Sequence, residues 1–284
     1  MSSIHVARKD VLDVRRAKIV WFVVGIYVLV STLFIYWARS EAAFMQVESE
    51  ILVGLWNLVF MGALFVPAVA LVAAYLAIAG ERESGSIKHL LSTPISRRDV
   101  VIGKFLSRGA IVSLSIFLAI LVGTGMAVLW YGSLEPAALI GVSLIMTLYA
   151  LAYVAVAVAI SGATATRARA MGGVLAFYFV TNILVLFDDL SIIGAVDYVL
   201  NQWLGLGIGD DPIQLFGMVI SPTYAYLGSA TMVFPDSFLQ QMGAETSAGS
   251  PWYLQPEVAL VFLLAWILVP LALGIRGFER ADLG

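Results

Sequence analysis

Long apolar runs separated by short polar connections dominate the pattern of this chain. Six of them are long enough to cross a bilayer, for which about 20 apolar residues suffice. They extend from about Ile19 to Ala38, Ile51 to Ala79, Phe105 to Tyr131, Pro136 to Ile160, Met171 to Phe187 and Val258 to Ile275. The second and third exceed the minimum length, which predicts tilt or extension beyond the hydrocarbon. Pro67, inside the second, lacks a backbone N–H and predicts a kink there. Ahead of the first run, Ile4, Ala7, Val11 and Val14 share one helical face, while Arg8, Lys9, Asp13, Arg15 and Arg16 take the rest. Residues 1–18 therefore read as an amphipathic helix lying in the membrane interface.

The connections carry their own patterns. Residues 80–104 hold a short predicted helix between two breakers: Gly85 permits a turn, Ser86 can cap, and Thr93-Pro94 ends it. Ile87, Leu90 and Leu91 give this helix an apolar face suited to a groove on a partner, so the face should matter more than charges such as Lys88. Ser96 with Asp99 resembles a capping box for the helix that leads into the third span. The longest connection, 188–257, is too apolar for a disordered linker. Ile192, Ile193, Val196, Val199 and Leu200 predict a short interfacial helix. Residues 211–230 predict a re-entrant or interfacial hairpin bent at Ser221-Pro222, with Tyr224 and Tyr226 anchored at the interface. Residues 236–251 are polar and read as a mobile loop.

Charge fixes the orientation of this pattern. Fifteen of the 16 Lys and Arg residues fall on one side of a six-span arrangement, and Arg39 alone on the other. The basic side is cytoplasmic by the positive-inside rule, which puts both termini and the 80–104 loop in the cytoplasm. Twelve of the 19 acidic residues, among them Glu41, Glu48, Asp188, Asp189, Asp210 and Asp211, fall outside. Composition agrees: 61% of the 284 residues are hydrophobic and 12% charged, so 1–284 reads as a single membrane domain. No cleavable signal peptide is evident.

The same composition limits the chemistry. With no cysteine there is no disulfide, thiol catalysis or cysteine-based metal site. His5 and His89 are the only histidines, and neither has the neighbours of a catalytic or metal site. No phosphate loop of the form Gly-x(4)-Gly-Lys-(Ser/Thr), no Gly-x-Ser-x-Gly and no His-Glu-x-x-His occurs. No ionisable side chain lies well inside a span, where ion-driven carriers usually need one. Asn57 and Asn182 are the main strongly polar residues at depth; they read as bridges between helices and mark a candidate substrate path.

Glu81, Gly85, Ser86, Leu90, Leu91, Ser92, Pro94, Ser96, Arg97, Gly103 and Lys104 follow a Glu-x-x-x-Gly-(Ser/Thr)-x(3)-Leu-Leu-(Ser/Thr)-x-Pro-x-Ser-Arg pattern with an apolar-Gly-Lys step. Ser221-Pro222 with nearby tyrosines, and the tail Phe278 to Leu283, extend the likeness along the chain. In this the sequence resembles the membrane subunits of ATP-binding-cassette (ABC) exporters of the second membrane type, including the multi-copper-enzyme-maturation permease group. The resemblance implies an all-α fold of six transmembrane helices with an N-terminal interfacial helix, a cytoplasmic coupling helix and an external hairpin. It implies coupling to an ABC ATPase through Glu81, Gly85, Ile87, Leu90, Leu91 and Pro94. It further implies ATP-Mg bound by that partner rather than by this chain, and pairing with a second copy or a related permease. Beyond lipids, no other partner is expected, and no nucleic acid. An ion-coupled carrier, surviving loss of ATP, and an intramembrane enzyme are the alternatives.

Overall fold

The computed structural model describes residue 7 and residues 18–45, 49–92, 95–132, 134–186, 191–244 and 250–281. Apart from Ala7, the expected amphipathic helix over residues 4–16 lies outside these, as do Pro94, Asp188, Asp189 and the tail from Asp282. Every regular element among the described residues is helical. The long helices are α1 (Lys18–Met45), α2 (Glu50–Ala74), α5 (Arg97–Tyr131), α6 (Pro136–Ala163) and α12 (Pro256–Glu279). Between α2 and α5 lie the short α3 (Ala79–Glu83) and α4 (Ser86–Leu91). Next come α7 (Arg167–Tyr178), α8 (Ile192–Asp197), α9 (Asp210–Ile220), α10 (Pro222–Ala230) and α11 (Asp236–Gln241).

Local chemistry explains the ends. Ser49 caps α2 by accepting from the Leu52 amide, and Glu50 meets the positive end of the helix dipole. The expected capping box opens α5: the Ser96 side chain accepts from the Asp99 amide, and the Asp99 carboxylate accepts in return. That helix ends where Gly132 adopts a left-handed φ of 69°. Gly85, at φ 74°, makes the turn between α3 and α4. Ser86 does not cap α4; its hydroxyl points back to the Glu81 carbonyl.

Four helices among the described residues are long and apolar enough to cross a membrane: Glu50–Glu83, Arg97–Trp130, Pro136–Ala163 and Pro256–Glu279. The first expected span corresponds to α1, of 28 residues. The fifth is less regular than its apolar run suggests. Twelve α-helical residues, α7, pass into a π-helical turn at Phe179–Ile183 and a 3-10 turn at Leu184–Leu186.

The core is organised around α6, which packs against α2, α5 and α12. From Ala152 to Val158 this helix is buried on all sides, as expected for a helix apolar around its whole circumference. Its approach to α12 depends on a small residue: a Cβ at Gly274 would lie 2.8 Å from the Ala159 Cα. Backbones this close pack through van der Waals contact, the main attraction between helices in lipid. The helix α1 closes the far side against α2 and α5, and α10 fits between α6, α12 and α2.

One expectation for the segment before α12 fails. Residues 236–251 are not a loop throughout, because α11 occupies Asp236–Gln241. Phe238 and Leu239 are buried, and Phe238 meets the ring of Trp56 edge-on with Phe234 alongside. Two apolar side chains in an otherwise polar stretch are enough to fold it down onto α2.

Candidate functional site

Two regions bring the sequence-predicted residues together, and both are built where α2 loses a helical hydrogen bond. The first is at mid-bundle. Pro67 has no N–H to offer the carbonyl four residues earlier, which belongs to Ala63. A buried backbone carbonyl must find another donor. Ala63 O accepts from the Tyr149 hydroxyl at 2.9 Å and from Asn182 Nδ2 at 2.7 Å. Neighbouring carbonyls on α2 are also engaged: Tyr27 donates to Val66 O, Tyr178 to Leu64 O and Tyr226 to Val59 O.

The predicted hairpin enters this polar core. Helix α9 and helix α10 meet at Ser221, as the Ser-Pro signal implies, and Ser221, Pro222 and Thr223 are all buried. The Ser221 hydroxyl donates to the carbonyl of Thr181 at 2.8 Å, within the π-helical turn. Thr223 Oγ1 lies 3.0 Å from the hydroxyls of Tyr149 and Tyr153 and accepts from Asn182 Nδ2 at 3.0 Å. Single-turn π segments often occur at functional sites. Asn182 Oδ1 is buried with no hydrogen-bond partner among the described residues.

Tyr226 corrects the sequence-based reading. It was expected at the membrane interface with Tyr224, yet it is fully buried, stacked on Tyr149 with ring centroids 4.0 Å apart. Gly62 makes room for it: a Cβ there would stand 3.1 Å from the Tyr226 hydroxyl. An aromatic with one polar tip suits either setting, and the neighbouring carbonyl of Val59 selects the core. Tyr224 remains partly exposed. It lines an outward cavity of about 1050 Å³ with Ile193, Asp197, Asp210, Gln214 and Leu227. The second asparagine, Asn57, is elsewhere: it donates to Glu41 across the α1–α2 contact, beside a cleft lined by Phe34, Trp37 and Phe44.

The second region is the C-terminal end of α2. The α-helix stops at Ala74, and a turn leads to α3. The amides of Ile78 and Ala79 donate not to this chain segment's own carbonyls but to Ser161 Oγ of α6, at 3.0 and 2.9 Å. Arg82 Nη1 donates to the carbonyls of Gly162 and Thr164, where α6 ends and its last carbonyls lack helical partners. Glu83 accepts from the Arg167 amide at 2.6 Å, with the Arg167 Nε 3.8 Å away. Glu81 forms an ion pair with Lys104 of α5, whose side chain is 5% exposed. Arg97 donates to the carbonyls of Phe278, Glu279 and Ala281, and its guanidinium sits over the Phe278 ring.

Helix α4 is therefore carried on a braced platform, and its faces differ from expectation. Ile87 is 1% exposed and packs into this chain's own core, while Leu91 is half-buried against it. Only two turns long, the helix cannot present both residues outward while resting on the bundle. Ser86, Lys88 and His89, with Ser92 just past the helix, are its exposed residues among those described. The side chain of Leu90, like Pro94, lies outside the described residues. Tyr149, Tyr153, Thr181, Thr223, Ser161 and Arg82 were not singled out as site residues from sequence, and Lys104 only as a position of the loop pattern. The i, i+4 pair Tyr149 and Tyr153 in an otherwise aliphatic run was the available signal.

Among the described residues no three His, Asp or Glu side chains gather in a metal-holding group. Residues 4–283 match the family described as "ABC-2 family transporter protein". A curated relative, the "Probable ABC transporter permease protein NosY" of Stutzerimonas stutzeri, is 27% identical over 292 aligned positions, covering 97% of each chain. The protein of the same description from Pseudomonas aeruginosa is 32% identical over 131 positions, 46% of each chain.

Proposed function

Because this chain belongs to the ABC-2 transporter family, a family of membrane transport subunits, we propose that it is the permease subunit of an ABC exporter. It spans the cytoplasmic membrane six times with both termini and the α3–α4 segment in the cytoplasm. It works as a pair with a second copy or a related permease. A separate ATPase subunit binds ATP-Mg and supplies the energy by hydrolysis. The observation that carries this reading is the bracing of α3 and α4. A partner pressing on the outward surface of α4, at Lys88, His89 and Ser92, meets a segment fixed to α5, α6 and α7 by Glu81–Lys104, Arg82 and Glu83–Arg167. Movement of α4 then has to move the bundle. In this reading the long-range consequence is a change at the hairpin tip, and Asn57 and Asn182 flank the path.

The test is affinity purification in mild detergent, asking whether an ABC ATPase co-purifies. Such an ATPase should co-elute with the native chain. Placing negative charge on this surface with Lys88→Glu and His89→Glu should weaken association by about tenfold, equivalent to roughly 1.4 kcal/mol. Consistent absence of an ATPase from intact preparations overturns the reading. Orientation is tested separately, since the chain has no cysteine: Ser92→Cys should be labelled only from the cytoplasm and Ser247→Cys only from outside.

A further inference from the structure

We infer that Ser161 is the pin of a hinge between α2 and α3, and that it makes α6 the helix that relays movement of the coupling segment to the hairpin tip. This deepens, and rests on, the permease reading above. The joint from Tyr75 to Ile78 lacks two regular hydrogen bonds, those of the Ile78 and Ala79 amides. A single side-chain oxygen from α6 accepts both. Ser161 is completely buried, so no water replaces it at the joint as it stands. Removing the oxygen leaves two inward-facing amides with no acceptor, the most expensive state for a backbone group.

The geometry beyond Ser161 favours α6 as the relay. Arg82 holds the last carbonyls of the same helix, so α3 grips α6 at two places. Glu81 also joins α3 to α5, through Lys104. However, α5 contributes no side chain to the polar core at the hairpin tip, whereas α6 contributes Tyr149 and Tyr153. Tyr153 is eight residues from Ser161 and Tyr149 twelve, about 12 and 18 Å along a helix rising 1.5 Å per residue. Both hydroxyls meet Thr223 at 3.0 Å. A single continuous helix, buried from Ala152 to Val158, thus carries the joint at its cytoplasmic end and the tip contacts at mid-membrane. Ser161 is a positioning residue; it touches neither the ATPase nor the path.

The experiment uses the complex with its ATPase in nanodiscs. Met232→Cys, partly exposed just past α10, carries a bimane fluorophore as the distal reporter. Hydrolysis by the ATPase is the proximal one. In the parent, trapping with ATP and vanadate should shift bimane emission. In Ser161→Ala the ATPase should remain bound and active while the emission shift is lost. Ser161→Thr, which keeps the hydroxyl, should restore it. A merely structural role lowers yield and melting temperature but does not separate these two readouts. An unchanged shift in Ser161→Ala overturns the inference, as does loss of hydrolysis and shift together in both variants. A parent preparation without ATPase overturns the permease reading itself, which is a different failure.

Discussion

The joint between α2 and α3 and the hairpin tip solve the same problem with opposite chemistry. Each lies where α2 stops satisfying its own backbone. At the tip the free group is a carbonyl, so the bundle supplies donors, Tyr149 and Asn182. At the joint the free groups are amides, so it supplies an acceptor, Ser161. The tip uses neutral side chains throughout: Ser221, Thr181, Thr223, Asn182 and the tyrosines. The joint adds ions, with Glu81–Lys104 and Glu83–Arg167. Depth explains the difference. A charge far from water is costly even when paired, while a hydroxyl needs only one good partner. A movable element held by neutral hydrogen bonds also loses little when it exchanges one partner for another, since such bonds in membrane proteins average about 0.6 kcal/mol.

The comparison can be broken most decisively at Tyr226. If the ring is core, Tyr226→Ala removes a stacked aromatic and a hydrogen bond, and should cost about 3–5 kcal/mol. Thermal unfolding in detergent reads this as a large drop in midpoint. A ring resting at the interface would give almost none.

Lys104→Met comes next. It strands the Glu81 carboxylate, which keeps some solvent contact, so the loss should be about 1–3 kcal/mol, below the 3–5 typical of a fully buried pair. Adding Glu81→Gln should recover much of it. Additive losses in that double-mutant cycle would mean the two side chains do not interact.

Thr223→Val tests the neutral side. It removes the hydroxyl shared by Tyr149, Tyr153 and Asn182 and should cost about 1–2 kcal/mol. A loss equal to or larger than that of Lys104→Met would reverse the ranking of the two regions.

The smallest effect on stability belongs to Lys88→Ala, within about 0.5 kcal/mol as for other exposed positions. Its effect should appear instead in retention of the ATPase during gel filtration. A clear fall in melting temperature would show that Lys88 braces the platform rather than facing a partner.

Much of this was legible in the chain before any contact was known. Ser221-Pro222 marks the bend between α9 and α10, and Ser96 with Asp99 marks the start of α5, because caps and proline act within a few residues. The π-helical turn at Phe179–Ile183 was not legible, since no local pattern distinguishes it from an ordinary apolar helix. Tyr226 read as an interface residue because its amphipathic ring is equally at home in either place. Ile87 read as part of a docking face because a two-turn helix does not reveal which side meets its own protein. Phe238 and Leu239 were hidden in a polar stretch, where two residues are too few to establish a period.

The sequence by itself determined which segments are helical and apolar, because both properties are sums over neighbouring residues. The tertiary structure alone decided that Ala63, Tyr149, Asn182 and Thr223 share one hydrogen-bonded core, and that Ile78 and Ala79 depend on Ser161. Those groups come from separate helices, and a buried donor or acceptor can be satisfied only by whatever the packing of those helices brings within about 3 Å.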